Sequence, residues 1–451
     1  VSAAPHGRTA LVVGAGWAGL AAAVGLIESG WCTTLVDAAP QAGGRARTVS
    51  LELDASRVDV DNGQHLLIGA YRATLALLGR IGVDADAVLE RRRLALESPD
   101  GLRLRAAALP APLHLAVALA AARGLAVRER LAMARAMAGI ARRGADAVPA
   151  GATVTGWLAG LSQPATLVAR IWSPLCIGAL NTPPERACAR AFAQVLADGM
   201  LADARGSDFL LPRTTLGDVL PAPALAWLAG RGATVRLRLA CRALVREPGG
   251  GWRADTDAGP LRADRVVLAV PPPQVAKLLA DAVPAARLAP FGHFEHEPIA
   301  TAWLGWRAPV DLPAVTMLVE RPGEHGFGQW LFARAAPVDG SLQAIAGVVV
   351  SAAGRHAGRP AELAEGIARQ VAAQLRVPLP DAARAIVERR ATIACTPGRP
   401  RLDTDALDDT APGLALAGDW CWHRYPATLE SAVRSGDAAA GFVTRGVVAR
   451  P

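Results

Sequence analysis

Lysine is almost absent from this chain. Lys277 is the only one in 451 residues, so the net charge of +8 is carried almost wholly by arginine. Arg-for-Lys and Ala enrichment of this kind looks like a genome-wide bias, and the basic pI is discounted as a sign of nucleic acid. Aromatic residues are scarce too, at 4%. No basic run interleaved with aromatics is present, so no nucleic-acid partner is expected. An anionic membrane surface stays compatible with the charge. The six cysteines (Cys32, Cys176, Cys188, Cys241, Cys395 and Cys421) form no CxxC pair, which argues against a metal ribbon or a redox couple. They read as reduced, mostly buried thiols of a cytoplasmic protein. No metal site is expected. Long apolar runs are missing as well. The longest, Leu109–Ala122, contains Pro112 and His114 and falls short of the roughly 20 residues that span a bilayer. It reads as a core helix or an interfacial one. Val1–Arg8 leads straight into an apolar stretch, so no cleaved signal peptide is expected.

What is present is apolar bulk, 52% of the residues, and a length suited to two interleaved domains. Thr9–Val13 is a short β-type run. Gly14-Ala15-Gly16-Trp17-Ala18-Gly19 follows at once, then an Ala-rich helical stretch, then Thr33–Val36 ending in Asp37 and Ala38. Gly14 suits a tight turn, Gly16 a close approach to pyrophosphate, and Gly19 close helix–strand packing. The helix start offers N–H groups and a positive dipole end to phosphates. Asp37 stands where a carboxylate accepts bonds from adenosine ribose hydroxyls.

Two further segments sharpen the reading. Gln41-Ala42-Gly43-Gly44-Arg45-Ala46-Arg47-Thr48 follows Asp37 directly; its glycine pair permits close approach to a cofactor, and an arginine there suits pyrophosphate charge. Near the other end, Leu414–Ala417 leads into Gly418-Asp419, and Pro426-Ala427-Thr428-Leu429-Glu430-Ser431-Ala432 opens a small-residue helix. That arrangement aims an acid at a ribityl chain and a helix start at a flavin pyrimidine. The first segment resembles the GG-R-x-[ST] motif, and the second the closing G-D…E-[SG]-A-x-x-S-G motif, of the flavoprotein superfamily of amine oxidases and phytoene-type desaturases. Asp264–Pro272 and Ala243-Leu244-Val245 are similar to two more of its pieces, the latter touching adenine through its backbone. The resemblance implies FAD as cofactor. It also implies an α/β fold, a Rossmann-type FAD-binding domain interleaved with a mixed α+β substrate domain and helical cap. The expected division is 8–80, 205–275 and 390–451 for the first domain, and 81–204 and 276–389 for the second. Asp37 stands where Glu is more usual, and no lysine matches the flavin-facing lysine of amine oxidases.

Asp59-Val60-Asp61-Asn62-Gly63-Gln64-His65 sits where that superfamily runs its chain past the flavin. Asn62 and Gly63 are expected beside the ring, with Gln64 and His65 near the reacting face. His65 is the best candidate for proton handling, its ordinary pKa lying near neutrality; a structural histidine bonded to backbone is the competing reading. The run Val58–Tyr71 more narrowly resembles the hydroxysqualene dehydroxylases of hopanoid-lipid synthesis, also called squalene-associated FAD-dependent desaturases. Trp172–Pro183, Gly418-Asp419-Trp420, His296-Glu297-Pro298-Ile299 and Gly328–Phe332 agree with it. The implied reaction is reduction of hydroxysqualene to squalene with loss of water, using a hydrophobic isoprenoid substrate and an unidentified electron donor. A second enzyme reading is a phytoene-type desaturase. A third is a non-catalytic isoprenoid carrier of the same fold, against which the two complete cofactor motifs argue.

For the chemistry, His65 and a nearby carboxylate are the expected acid. Trp172, Trp330 and Trp420 either line an apolar tunnel or are ordinary packing. Asn181 either bonds the substrate hydroxyl or caps a turn. Leu94–Arg143, Ala/Leu-rich and edged with arginines, is either a helical cap over the cavity or an amphipathic pair entering one leaflet, which would make the protein peripheral on the inner face of the cell membrane.

Overall fold

Residues 10 to 13 alternate between two apolar environments, and that alternation builds the first domain. A computed structural model describes residues 7–54, 56–320, 327–336 and 341–445. In it Thr9–Val13 is the central strand of a five-stranded parallel sheet. The order across the sheet is Thr234–Leu237, Cys32–Asp37, Thr9–Val13, Arg265–Leu268, Leu414–Leu416. Ala10 and Val12 face the helices Trp17–Glu28 and Leu429–Arg445. Leu11 and Val13 face a three-stranded antiparallel meander through Leu244, Trp252 and Ala254. A sheet covered on both faces suits the near-continuous apolar runs read from the sequence. The two helices pack closely: a methyl group on Gly436 would lie 2.2 Å from the Ala18 carbonyl oxygen.

The second domain is a five-stranded antiparallel sheet in the order Val315–Met317, Trp330–Arg334, Ala344–Ser351, His296–Trp306, Ala382–Ile393. Helix Pro360–Leu375 covers the face carrying Ala300, Ala302 and Leu304. The opposite face, through Trp303, packs on the hairpin Thr48–Leu53/Ser56–Asp61. That hairpin leaves the nucleotide domain and carries the Asp61–His65 run onto the second sheet. A third layer of helices, including Leu113–Ala120, Val127–Arg143, Ser173–Leu180 and Ala189–Leu196, shares one core with Trp330 and Phe332.

The expected boundary at 390 falls inside the strand Ala382–Ile393. Leu89–Arg92, assigned to the substrate part, pairs with Phe209–Pro212, assigned to the nucleotide part. Extended strands cross between the domains, so hydrogen-bonded ladders blur a division drawn from motifs. Lys277 lies exposed on the helix Pro272–Leu278 that follows the proline strand. Among the described residues, no helix is long and apolar enough to cross a membrane. Residues 1–6, part of the expected leader-free start, lie outside the described residues.

Candidate active site

The Gly-rich turn is held by contacts that leave no room for side chains. Gly14 has φ +109°, and a methyl group there would sit 2.3 Å from the Ala269 carbonyl oxygen. On Gly19 it would sit 1.8 Å from the Gly14 carbonyl oxygen. Gly16 caps helix Trp17–Glu28 without any side-chain acceptor, which leaves the first-turn N–H groups for an anion. Trp17 and Ala18 are buried beneath this turn, so only their backbone is offered. Asp37 accepts from the Ala15 N–H at 2.6 Å and the Ala39 N–H at 2.7 Å, pinning the turn to the second strand. Each carboxylate oxygen retains a lone pair for a ribose hydroxyl. Ala38 beside it is exposed. The Leu239 N–H bonds the Asp37 carbonyl at 2.9 Å and leads into the strand Cys241–Arg246; Val245 stands toward the far end of that strand, next to Arg246, which donates to the Pro412 carbonyl at 2.9 Å just before the last parallel strand.

Gly43 and Gly44 both take positive φ, +110° and +61°. The Gly43 N–H donates to the Ala15 carbonyl at 2.9 Å, which lays the second loop against the first. Arg45 reaches across to the C-terminal motif, donating to Asp419 at 2.6 Å and to the Ala391 carbonyl at 2.9 Å. Arg47 folds back on the Gly44 carbonyl at 2.7 Å, and its N–H is held by the Asn62 side chain at 3.2 Å. Arg45 and Arg47 brace loops through these carbonyl and carboxylate partners.

Each residue of the closing motif has a visible contact. The Gly418 N–H donates to Ser435 Oγ at 2.8 Å. Thr428 caps its helix through the Ser431 N–H at 3.1 Å, with Ala427 and Leu429 on either side. Glu430 turns the other way and accepts from the Ala73 and Thr74 N–H groups, capping helix Arg72–Arg80. Uncapped N–H groups at Gly16, glycine cradles with no space for a Cβ, and two motifs joined by an ion pair fit a bound flavin dinucleotide.

The reacting end lies where the hairpin meets the second sheet. Asp61 is fully buried and accepts from the Leu216 N–H at 2.7 Å and from Arg334 at 3.3 Å. Burial pushes its pKa up, against the pull of Arg334. Arg334 also donates to the Thr214 carbonyl at 2.8 Å and to Gln64 at 3.4 Å. The Gln64 amide completes its bonding with the His65 carbonyl at 3.1 Å, while its N–H meets Thr301 Oγ1 at 3.1 Å. The half-buried His65 places Nδ1 2.5 Å from the Gly63 carbonyl oxygen. A carbonyl only accepts, so Nδ1 carries the proton and Nε2 is the nitrogen left for chemistry. Burial lowers the His65 pKa; Asp61 and the Gly63 bond oppose this, and Arg45 adds to it. The Asn62 N–H donates to the Arg47 carbonyl at 3.0 Å, which ties the run carrying His65 to the loop carrying Arg45.

Other expected residues lie differently. Asn181 is buried in a left-handed turn at the end of helix Ser173–Leu180. Its amide donates to the Glu297 carbonyl and Thr392 Oγ1 and accepts from the Ala352 N–H at 2.7 Å. That is the capping role, and it leaves little of the amide for a substrate hydroxyl. Trp172 is fully buried against Phe192 and bonds Gln163; Trp420 packs against Phe291 and Phe294 and bonds the Val270 carbonyl. Both are core packing, not tunnel wall. The Trp330 indole N–H has no acceptor among the described residues.

Sequence reasoning passed over Asp61 as a site residue and did not reach Arg334 at all. Asp61 was visible inside the Asp59–His65 run. Arg334 gave no local signal, being an ordinary strand-end arginine 273 residues from its partner. His296 is a third omission: it pairs with Ile393, two residues from the Ala391 carbonyl that accepts from Arg45, and its pKa is lowered by burial and then by Arg45, with Asp419 opposing.

Comparison with known proteins agrees with this geometry. Residues 17–444 match the family described as flavin containing amine oxidoreductase. A hydroxysqualene dehydroxylase of Rhodopseudomonas palustris is 31% identical over 97% of this chain and 98% of its own length. One from Sinorhizobium fredii is 29% identical over 95% of this chain and 96% of its own. In structure the chain is similar to cyclohexylamine oxidase from Brevibacterium oxydans, with a TM-score of 0.69 at 17% identity, covering 98% of this chain and 99% of that one.

Proposed function

Because this chain belongs to the flavin-containing amine oxidoreductases, in their hydroxysqualene dehydroxylase branch, we propose that it binds FAD and reductively removes the hydroxyl of hydroxysqualene to give squalene. The full-length likeness to relatives named for that reaction supports the substrate. The buried Asp61–Arg334 pair, joined through Gln64 to His65 on a run that is tied to the Arg45 loop by the Asn62–Arg47 backbone bond, is the structural observation that carries it.

The balance of the reaction sets what the chain must do. The carbon–oxygen bond breaks, the oxygen takes a proton and leaves as water, and a carbon–hydrogen bond forms. Bound reduced flavin supplies the hydride equivalent, and an external electron donor restores it once per turnover. The protein supplies the proton and keeps water from the allylic cation that loss of the hydroxyl leaves behind. His65 Nε2 is the atom that holds that proton. Its lowered pKa makes the imidazolium, once formed, a stronger acid than free histidine. Gln64 and Arg334 hold the corner in place, and Asp61 supplies the opposing charge.

The test is an anaerobic incubation with hydroxysqualene, flavin chemically reduced or left oxidised, followed by lipid analysis. Squalene formed only with reduced flavin is expected. No squalene, with oxidised flavin bleached by an isoprenoid hydrocarbon, would instead support a phytoene-type desaturase. A colourless protein that binds isoprenoid without turnover would point to a carrier.

A further inference from the structure

Large exposed aliphatic side chains are concentrated in one place. Leu109, Leu113, Val117, Val127 and Leu131 are 40–69% exposed, and on the described surface only Leu379 joins them from elsewhere. They lie on helix Leu113–Ala120, on helix Val127–Arg143 and on the loop before them. Along the second helix the exposed Val127, Leu131, Ala134 and Ala138 recur at helical spacing and form one outward stripe. Arg128, Arg135 and Arg142 recur every seventh residue and form the row beside it. The inner face, through Met133, Met137 and Ile140, is buried in the core that also holds Trp330 and Phe332. The two faces of these helices therefore differ: the inner one is packed in the core, and the outer one sets an aliphatic stripe beside a row of arginines.

The charge on that outer surface is of one sign. Glu129 is the only carboxylate between residues 106 and 143, and it is turned inward onto the Ala126 N–H and Thr166 Oγ1. The ion pairs of neighbouring segments, Arg170–Asp100 and those of Glu97, use other arginines. Among the described residues, Arg123, Arg128, Arg135, Arg142 and Arg143 make no ion pair.

We propose that this face docks on an anionic lipid bilayer, with the five aliphatic side chains at the acyl boundary and the arginines at the level of the phosphates. A second copy of the chain fits poorly, because pairing the face with itself sets arginine rows against each other in a protein already at +8. Nucleic acid offers nothing to the aliphatic stripe. The inference goes beyond the proposed reaction and is read without substrate.

The experiment is co-sedimentation of the flavin-loaded protein with vesicles of phosphatidylcholine alone or of phosphatidylcholine and phosphatidylglycerol at 3:1. The parent should bind the anionic vesicles at least tenfold better, with the advantage fading at high salt. The triple variant Leu113→Ser/Val127→Ser/Leu131→Ser should lose at least tenfold of that binding while keeping its flavin spectrum and melting temperature. Arg128→Gln/Arg135→Gln/Arg142→Gln should bring binding to the two vesicle types close together. Equal binding by parent and aliphatic variant would overturn the proposal. So would a parent that ignores both vesicles, or one that is a dimer in gel filtration and becomes a monomer in the aliphatic variant.

Discussion

The Arg45 guanidinium donates to the Asp419 carboxylate at 2.6 Å across 374 residues of chain. One residue comes from the Gly-Gly-Arg loop after the second strand, the other from the Gly-Asp turn after the last strand of the same sheet. Their contact means that the two halves of the flavin cradle are positioned against each other by the protein itself.

Asp419→Asn should weaken flavin binding about fivefold. The pair is partly open on the Arg45 side, which screens it, so about 1 kcal/mol is the expected scale. Flavin titration of the apoprotein reads this directly, and unchanged affinity would mean the pair does not shape the cradle.

Two glycines on helices should respond oppositely to alanine. At Gly436 the new methyl would meet the Ala18 carbonyl oxygen at 2.2 Å, so Gly436→Ala should cost about 1–3 kcal/mol. At Gly79, in helix Arg72–Arg80, it would meet nothing within 4 Å, and Gly79→Ala should stabilise by roughly 0.5–1 kcal/mol. Urea unfolding of both variants checks the pair.

Arg334→Leu strands Asp61 as a buried carboxylate with one backbone donor left. A loss of about 3–5 kcal/mol is expected. Arg334→Leu combined with Asp61→Asn should recover a large part of it, because no uncompensated charge remains. A double variant no more stable than the single one would show that the two side chains are not coupled.

The His65 pKa is lowered from 6.5, so the ring is mostly neutral at pH 7. If its proton goes to the leaving oxygen, kcat rises as pH falls below about 7 and levels off beneath the lowered pKa. His65→Gln should cost about 100-fold in kcat and remove that rise. A parent profile flat from pH 5 to 8 would assign the proton to another group.

Burial also lowers the pKa of His114, which is 1% exposed on the inner face of helix Leu113–Ala120. A lowered folded-state pKa means the unfolded chain takes up the proton first. Its contribution is therefore fully present above the unfolded value of 6.5 and is lost as pH falls below it. Melting temperature should drop between pH 7 and 5, and His114→Phe should flatten that slope.

The parallel sheet was legible because its strands are short apolar runs ending in Gly-rich or Gly-acid turns, as at Val13-Gly14 and Ala417-Gly418. The closing motif was legible as a pattern, though not the division of labour within it; that Glu430 caps a different helix depends on where Ala73 and Thr74 come to rest. Arg334 was not legible, since nothing within its own strand distinguishes it and its partners arrive from residues 61, 64 and 214. The tryptophans were ambiguous because a core indole and a cavity indole have the same neighbours in sequence. Trp172 and Trp420 became core only through Phe192 and through Phe291 and Phe294, each brought in by tertiary packing.

The parallel sheet begins at Thr9 and receives its last strand at Leu414–Leu416. On the ribosome, the strand Thr9–Val13 and its helix emerge well before the edge strand and the helix that cover them. Their apolar faces stay exposed to chaperones and to other nascent chains during that interval. Flavin capture is then a late event, because Asp419 is among the last parts of the site to be made. A ribosome stalled before residue 414 would release a chain that holds the nucleotide motif but lacks the sheet needed to use it.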